Sequence, residues 1–148
     1  GLDILRSIPA GEFPAPPMAR TMQHWIHAVD NGRVEFRGNP SAEYLNPLGL
    51  IHGGWSMTLL DSAMGSAVQS TLPKAQRYVS LGTEVKFLRP ITVKTGQVRA
   101  VATVIDRTRQ TVIAEARIED QSGRILATGT STCFLISPTP TSPNEATS

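Results

Sequence analysis

Cysteine is nearly absent from this chain, whose 148 residues include only Cys133. One cysteine cannot form an internal disulfide, so we predict a reducing compartment, the cytoplasm. Cys133 lies in an apolar segment, which favours a small buried side chain over a nucleophile. The three histidines, His24, His27 and His52, show no metal-ligand spacing with Cys133, so we predict no metal site.

Charge is also scarce, at 18% of the residues with a net charge of +2. Such a small excess does not predict a nucleic-acid partner. The N-terminal residues do not combine a basic start with an apolar core, so we expect no signal peptide. The most apolar stretch contains Ser, Thr and Gly with an aspartate near its middle, so we expect no membrane span. One globular domain is the simplest expectation.

The chain divides into three parts by composition. Residues 1–20 are Pro-rich and lack periodicity, which predicts an irregular lead-in. Residues 21–136 are predicted to form the domain. Residues 137–148 are a low-complexity tail that we expect to be disordered. Within the domain, the turn signal Asp30-Asn31-Gly32 predicts a hairpin over 22–38.

A long helix is predicted from Gly53 to about Leu72, where Pro73 stops it. After the helix the apolar pattern changes to a period of two, which is typical of half-buried strands. Four strands are predicted, over 78–88, 98–105, 112–119 and 124–136. A single apolar helix wrapped by a curved antiparallel sheet is an α+β arrangement.

Asp61 is the one ionisable residue between Gly53 and Pro73. An isolated carboxylate on an apolar helix is costly unless it is paired or used. The helix begins at a His-Gly-Gly turn, and a helix N-terminus offers free N–H groups to a developing negative charge. A carboxylate and a turn that stabilises an oxyanion are the smallest set of groups that attack on a carbonyl carbon requires.

The spacing of these two groups predicts the oligomer. Gly53 and Asp61 are eight residues apart, which is about 12 Å along a helix that rises ~1.5 Å per residue. Groups that far apart cannot act on one carbonyl carbon, because reacting atoms must approach within about 3–3.5 Å. A two-fold dimer with antiparallel helices would bring each Asp61 to the partner's turn and form two sites.

The segments NPLGLIHGG, LLDSAMG and FLRP, in this order and spacing, resemble the PaaI-like acyl-CoA thioesterases of the hotdog fold. The resemblance covers residues 15 to 136. It implies hydrolysis of acyl-CoA to a free acid and coenzyme A, with no cofactor apart from the coenzyme A of the substrate. It also implies a homodimer as the active unit, assembled as a dimer of dimers in a homotetramer.

The resemblance assigns roles to five residues. Gly53 would polarise the thioester carbonyl through its N–H, and Asp61 of the partner would act as nucleophile or general base. Asn46 would position the catalytic groups or water, and Ser80 would help to hold the attacking water. His52 is the histidine of the turn.

Each of these residues also has a structural interpretation. Asn46 could be a turn former before Pro47, and His52 could orient the turn without moving protons. Asp61 could be a hydrogen-bonded structural group, and the match of Ser80 depends on a loop of variable length. His24 and His27 are predicted to be structural.

A basic bias in residues 86–124 indicates a site for an anionic molecule. Arg89, and Arg107 or Arg109 in the next turn, are the candidates for the nucleotide phosphates. Gly54 in the His-Gly-Gly turn is a candidate for contact with the substrate. Strand faces exposed to water are the simpler interpretation for the remaining arginines, which are Arg99, Arg117 and Arg124.

Two other functions fit the same pattern less well. A hotdog hydratase or dehydratase pairs a catalytic histidine with an acid, but no HFPGxP-type segment precedes the helix. A non-catalytic acyl-CoA sensor would need an attached DNA-binding segment, which 20 irregular residues cannot supply. The identity of the acyl group stays open, as does the choice between covalent and general-base chemistry.

Overall fold

The computed structural model describes residues 1–138 and consists of one sheet around one long helix. The helices are α1 (Leu2–Ser7), α2 (Pro17–Thr21) and α3 (Gly53–Ser70), with 3₁₀ turns at Ala42–Tyr44 and Val93–Thr95. The strands are β1 (His24–Asp30), β2 (Arg33–Gly38), β3 (Arg77–Phe87), β4 (Val98–Arg107), β5 (Thr111–Glu119) and β6 (Ile125–Ile136). The predicted order of two strands, a helix and four strands is confirmed.

The six strands form one antiparallel sheet in the order β1-β2-β4-β5-β6-β3. The predicted β1–β2 hairpin turns at Asn31-Gly32, where Gly32 has φ +77°, a conformation that glycine adopts without strain. Strand β3 does not pair with β4, its successor in the chain. It pairs with β6 and forms the edge of the sheet opposite β1.

Helix α3 begins and ends where the sequence predicts. The His52 side chain caps its first turn, and the helix ends at Ser70, ahead of Pro73. Small residues let the helix and sheet approach closely: a Cβ on Gly38 would lie 3.0 Å from the Trp55 ring, and one on Gly129 would lie 3.2 Å from Met64. These contacts place α3 directly on the inner face of the sheet.

The core forms between the inner sheet face and one side of α3. Every second residue of β2, β4, β5 and β6 points inward, as the period of two predicts. The α3 side of the core consists of side chains with 0% exposure, namely Leu59, Leu60, Ala63, Met64, Ala67 and Val68. The predicted α+β arrangement, one long helix wrapped by a curved antiparallel sheet, is therefore confirmed.

The lead-in is more ordered than the sequence indicated. Residues 2–7 form α1, whose Leu5 is buried, and α2 begins with Pro17 at its first position, where the missing N–H costs nothing. The prediction of irregular structure is wrong for these two segments, because contacts with β1 and α3 stabilise helices that are too short to persist alone. The predicted disordered tail lies outside the described residues, apart from 137 and 138.

One side of α3 is not covered by any part of residues 1–138. Gly54, Met57 and Asp61 are exposed and form a stripe along the helix. The adjacent edge strand β3 also exposes apolar side chains, with Val79 at 45% and Leu81 at 63%. The sheet thus wraps one face of the helix, and the described residues leave the face that carries Asp61 open.

Candidate active site

The His-Gly-Gly turn leaves one backbone donor free. His52 accepts a hydrogen bond from the Gly54 N–H through Nδ1 at 3.1 Å, and its carbonyl oxygen accepts from the Trp55 N–H at 3.0 Å. Within residues 1–138, the Gly53 N–H has no acceptor. Gly53 is the first residue of α3, so its free N–H lies at the positive end of the helix dipole.

The hydrogen bond from the Gly54 N–H to His52 Nδ1 gives the residues of the turn different roles. Because Nδ1 of His52 accepts a hydrogen bond, the neutral imidazole carries its proton on Nε2. The interpretation of His52 as the residue that orients the turn therefore has direct geometric support. The Gly54 N–H is already paired, so a contact between Gly54 and a substrate would have to use its Cα rather than its amide.

Gly53 also meets a steric requirement. A Cβ at this position would lie 2.9 Å from the outer edge of the Phe87 ring, so any larger residue forces the ring to move. Phe87 ends β3 and is 56% exposed. The ring packs over the start of the helix, and Gly53 and Phe87 line the same cavity.

Asn46 shapes the loop that leads to the turn. Its Oδ1 accepts hydrogen bonds from the N–H groups of Leu48 at 2.9 Å and Leu50 at 3.0 Å. This is the turn-forming role considered above. Asn46 also lines the cavity next to Gly53, and its amide NH₂ group is the end that remains for a substrate or water.

Asp61 lies on the open side of α3, two turns beyond Gly53. No residue in the described part of the chain forms an ion pair with its carboxylate. The side chain is exposed at the surface of the single chain, yet the atoms around it displace enough water to raise the pKa of the carboxyl above its ordinary value. A carboxylate with a raised pKa is a stronger base than an ordinary aspartate.

Ser80 lies across from Asp61 on β3, and both residues line one cavity of about 480 Å³. The register of β3 against β6 shifts between Ser80 and Gly82, which is a bulge beside the candidate site. Ser80 and Asp61 of one chain therefore face the same space.

Tyr78 is a residue of this cavity that sequence reasoning missed. Burial raises its pKa to about 12, with smaller contributions from Cys133 and from the negative charge of Asp61, so the phenol stays neutral. A Cβ on Gly65 would lie 2.4 Å from the Tyr78 hydroxyl, which explains the glycine inside the helix. The one sequence signal that pointed to a bulky neighbour here is Gly65, a glycine inside the helix one turn beyond Asp61.

The predicted catalytic residues line two different cavities of the same chain. Gly53 and Asn46 line a cavity of about 400 Å³, whereas Asp61 and Ser80 line the one of about 480 Å³. The helical rise between Gly53 and Asp61 is about 12 Å at 1.5 Å per residue, as the uninterrupted helix requires. One chain therefore does not bring the N–H and the carboxylate together.

The candidate phosphate-binding arginines are also separated. Arg89 lines the Gly53 cavity and the neighbouring one that holds Lys94 and Arg124, and its Nη1 donates to the Ile125 carbonyl oxygen at 2.6 Å. Arg107 and Arg109 lie at the β4–β5 turn, where the Gln110 carbonyl oxygen accepts from the N–H of Leu135, at the other end of β6.

Two of the arginines on strand faces have a structural role. Arg99 and Arg117 both form ion pairs with Glu119, whose side chain is only 6% exposed. Burial alone would raise the pKa of Glu119, but the hydrogen bonds and charges of the two arginines hold it below its ordinary value. Arg99 and Arg117 are thus exposed on strand faces, as expected, and they also pair with a buried carboxylate.

No metal centre is formed by the described residues: nowhere in 1–138 do three His, Cys, Asp or Glu side chains gather in a ligand set. Among the same residues, no helix is long and apolar enough to cross a membrane.

Comparison with known proteins places this geometry in a family. Residues 48–127, more than half of the chain, match the model of the thioesterase superfamily. The solved phenylacetic acid degradation-related protein of Ralstonia eutropha JMP134 is 30% identical with a TM-score of 0.80, covering 88% of this chain and 98% of that one. The PaaI protein of E. coli shares the fold at a TM-score of 0.80 and 22% identity, covering 93% and 97% of the two chains.

A curated relative extends the same comparison at the level of sequence. The ComA2 protein of Bacillus subtilis strain 168, named as a candidate esterase, is 26% identical over 92 residues, or 62% of this chain and 72% of its own length. The resemblance inferred from the NPLGLIHGG, LLDSAMG and FLRP segments is confirmed. The chain belongs to the thioesterase superfamily and is a PaaI-like protein of the hotdog fold, with thioester hydrolysis as the activity at family level.

Proposed function

We propose that the chain hydrolyses acyl-CoA thioesters as a homodimer in which each site combines residues of both subunits. One observation carries the proposal: the Gly53 N–H and the Asp61 carboxylate, neither of which has a partner within residues 1–138, lie on one helix and open into separate cavities. Each chain has two half-sites, and an antiparallel pair of helices joins them into two complete ones.

The open side of the molecule supports this dimer. The helix stripe with Met57 and Asp61 borders edge strand β3, whose exposed Val79 and Leu81 are apolar. Unpaired edge strands with exposed apolar side chains are ready to pair with another chain. A second copy, related by a two-fold axis, would cover the stripe and the edge together. A dimer of dimers is the larger assembly that we propose.

The reaction follows from the groups in each joined site. The thioester carbonyl oxygen accepts a hydrogen bond from Gly53 N–H, which stabilises the oxyanion of the tetrahedral intermediate. Asp61 of the other subunit removes a proton from water as it attacks, or attacks directly to form a mixed anhydride that water then cleaves. Either route consumes one water molecule and yields a carboxylic acid and coenzyme A, whose thiolate takes up a proton.

The basic residues account for the nucleotide end of the substrate. Arg89 lies beside the Gly53 cavity and is exposed, so it can reach an anionic phosphate from this subunit. Arg107 and Arg109 lie at the far end of the same chain, and the antiparallel arrangement would place the partner's copies near this Gly53. The reaction as proposed uses no metal or redox cofactor, and its proposed location is the cytoplasm.

A matched pair of variants tests the shared site. Asp61→Asn removes the carboxylate, and Gly53→Pro deletes the N–H at the first helical position, where proline is tolerated. Each variant alone should be inactive on a panel of acyl-CoAs in a thiol-release assay. Co-refolded together, they should recover roughly a quarter of the parental activity, because half of randomly paired dimers are mixed and each has one intact site.

The controls keep this result interpretable. Because the Phe87 ring would lie 2.9 Å from a Cβ at position 53, the fold of Gly53→Pro is checked by circular dichroism, and mixed dimers are counted by tagging one chain. Mixed dimers of two folded chains that stay inactive would refute the shared site. Formation of an unsaturated or hydrated acyl-CoA without thiol release would favour a hydratase, and tight binding without turnover would favour a sensor.

A further inference from the structure

The Gly53 amide lies in a segment whose own backbone does little to fix its direction. Gly53 and Gly54 are consecutive, and glycine restricts its backbone less than any other residue. A donor to an oxyanion is effective only when it is held in place before the reaction, because a displacement of about 1 Å can lower the rate about 10²-fold. The direction of the amide therefore depends on how the residues before and after the two glycines are held.

Tyr44 contacts both of these flanking residues. Its carbonyl oxygen accepts a hydrogen bond from the N–H of His52, the residue before the glycines, at 2.7 Å. Its ring stacks on the indole of Trp55, the residue after them, with ring centroids 5.9 Å apart and an interplanar angle of 23°. Trp55 is only 2% exposed, and its backbone N–H donates to the His52 carbonyl oxygen at 3.0 Å. Tyr44 thus holds the glycine pair from both ends.

The two aromatic side chains are anchored at one place, the C-terminal end of α2. The Tyr44 hydroxyl donates to the Thr21 carbonyl oxygen at 2.7 Å, and the Trp55 Nε1–H donates to the Met22 carbonyl oxygen at 2.8 Å. The last carbonyl groups of a helix have no partner within the helix, so they are available for such bonds. The lead-in therefore supports the turn as well as the cavity beside Asp61.

We propose that Tyr44 and Trp55 are positioning residues that hold the Gly53 N–H in the direction that the oxyanion requires, by fixing both sides of the glycine pair to the end of α2. The proposal rests on the proposed function, because it takes this N–H as the donor to the thioester carbonyl oxygen. Neither aromatic residue lines the Gly53 cavity or the Asp61 cavity. They act through the backbone of the turn and not by contact with the substrate.

Graded variants of the two aromatic residues test this role. Tyr44→Phe removes only the hydroxyl, whereas Tyr44→Leu also removes the stacked ring and keeps the backbone carbonyl. Trp55→Phe removes the Nε1–H and keeps a ring. Val34→Ala is the control for a general loss of stability, because Val34 has 0% exposure and lies on β2 two residues after Gly32, whose N–H donates to Ser70 at the far end of α3.

We expect Tyr44→Leu to lower kcat for thiol release about tenfold or more and to leave KM within about twofold, since a misplaced donor weakens the transition state more than the ground state. Tyr44→Phe and Trp55→Phe should each lower kcat about three- to tenfold, because part of the support remains. Val34→Ala should keep the parental kcat well below its melting temperature. If Tyr44→Leu does not fold, Tyr44→Phe takes its place in every comparison. A parental kcat in the folded Tyr44 variants, or an equal loss in Val34→Ala, would overturn the inference.

A labelled amide separates this inference from the proposed function. His52-Gly53 is the only His-Gly pair in the sequence, so histidine labelled with carbon-13 at the carbonyl and glycine labelled with nitrogen-15 give one coupled amide signal, that of Gly53. Nitrogen-15 relaxation should report a rigid amide in the parent and in Val34→Ala, and a more mobile one in Tyr44→Leu.

The two measurements together decide between the outcomes. If no thioester is cleaved but the Gly53 amide loosens in Tyr44→Leu, the function fails and the positioning of the amide stands. If thioesters are cleaved and neither kcat nor the amide responds to the Tyr44 variants, the function stands and the inference fails. A loss of kcat with an unchanged amide would also overturn the inference, because the effect would then not pass through the turn.

Discussion

The two faces of helix α3 have opposite relations to the rest of the chain. The inner face packs Leu59, Leu60 and Met64 against the sheet with no exposure, whereas the outer face leaves Met57 and Asp61 open. The inner face is complete within one chain. The outer face carries the candidate reactive groups and is not covered by the described residues, so in the proposed dimer a second copy completes the site. Stability and function thus occupy different sides of the same helix.

Replacing the carboxylate of the outer face should give the largest effect. Asp61→Asn should lower kcat by about a factor of 10³, in the range for a lost general base and more if the group is the nucleophile. The measurement is thiol release from the best acyl-CoA, with circular dichroism as the control for folding. Near-parental turnover in the folded variant would rule out Asp61 as the catalytic carboxylate.

The same substitution makes a prediction about pH. Because the folded chain raises the pKa of Asp61, the folded state holds that proton more firmly than the unfolded state does. Stability contributed by this group is therefore lost as the pH rises from the ordinary value of 3.8 through the raised one. At neutral pH Asp61→Asn should be as stable as the parent or slightly more stable, and the difference in Tm should vanish in acid.

The inner face should respond in the opposite way. Leu60→Ala removes a side chain with no exposure and should lower the free energy of unfolding by about 2–5 kcal/mol, from lost burial and the cavity left behind. Its kcat, measured well below the melting temperature, should stay within a few-fold of the parent. Denaturant unfolding measures the change in the free energy of unfolding, and the thiol-release assay measures kcat. A large loss of kcat with unchanged stability would contradict the division of the two faces.

Gly65 is buried on α3 and lies next to Tyr78, which lines the Asp61 cavity. Its replacement therefore tests the boundary between the two faces of the helix. Gly65→Ala gains helix propensity, but its methyl group would lie 2.4 Å from the Tyr78 hydroxyl, and such overpacking costs about 1–3 kcal/mol. Adding Tyr78→Phe removes the hydroxyl and should restore most of the lost stability. Thermal unfolding of the parent, the two single variants and the double variant measures the coupling. Additive effects would show that the two residues do not crowd one another.

The smallest effect is expected at the nucleotide end. Arg89→Ala should raise KM for acyl-CoA about three- to tenfold with little change in kcat, because a contact far from the carbonyl binds ground and transition states alike. Arg99→Ala is the matched control, since its charge is already paired with Glu119. Steady-state kinetics on both variants provides the measurement. An unchanged KM in Arg89→Ala would remove this residue from the phosphate site.

Sequence reasoning located the reactive groups but not all of their surroundings. Asp61 and Gly53 were identified because a lone charge and a glycine turn are local signals. Tyr78 and the wall formed by His24 were missed, because they reach the cavity through the curvature of the sheet. The short helices of the lead-in were missed for a related reason, since they depend on contacts with β1 and α3.

The sequence by itself determined the local elements of this protein: the hairpin turn at Asn31-Gly32, the capped helix that ends before Pro73, the period-two strands and the motif of its family. These features depend on residues close together in the chain, where backbone preference and periodicity act directly. Only the tertiary structure decided that β3 joins β6, that the lead-in lines a cavity between the two sheet edges, and that His24 is buried without a hydrogen-bond partner among residues 1–138. Those outcomes depend on contacts between residues distant in the sequence, which no local pattern encodes.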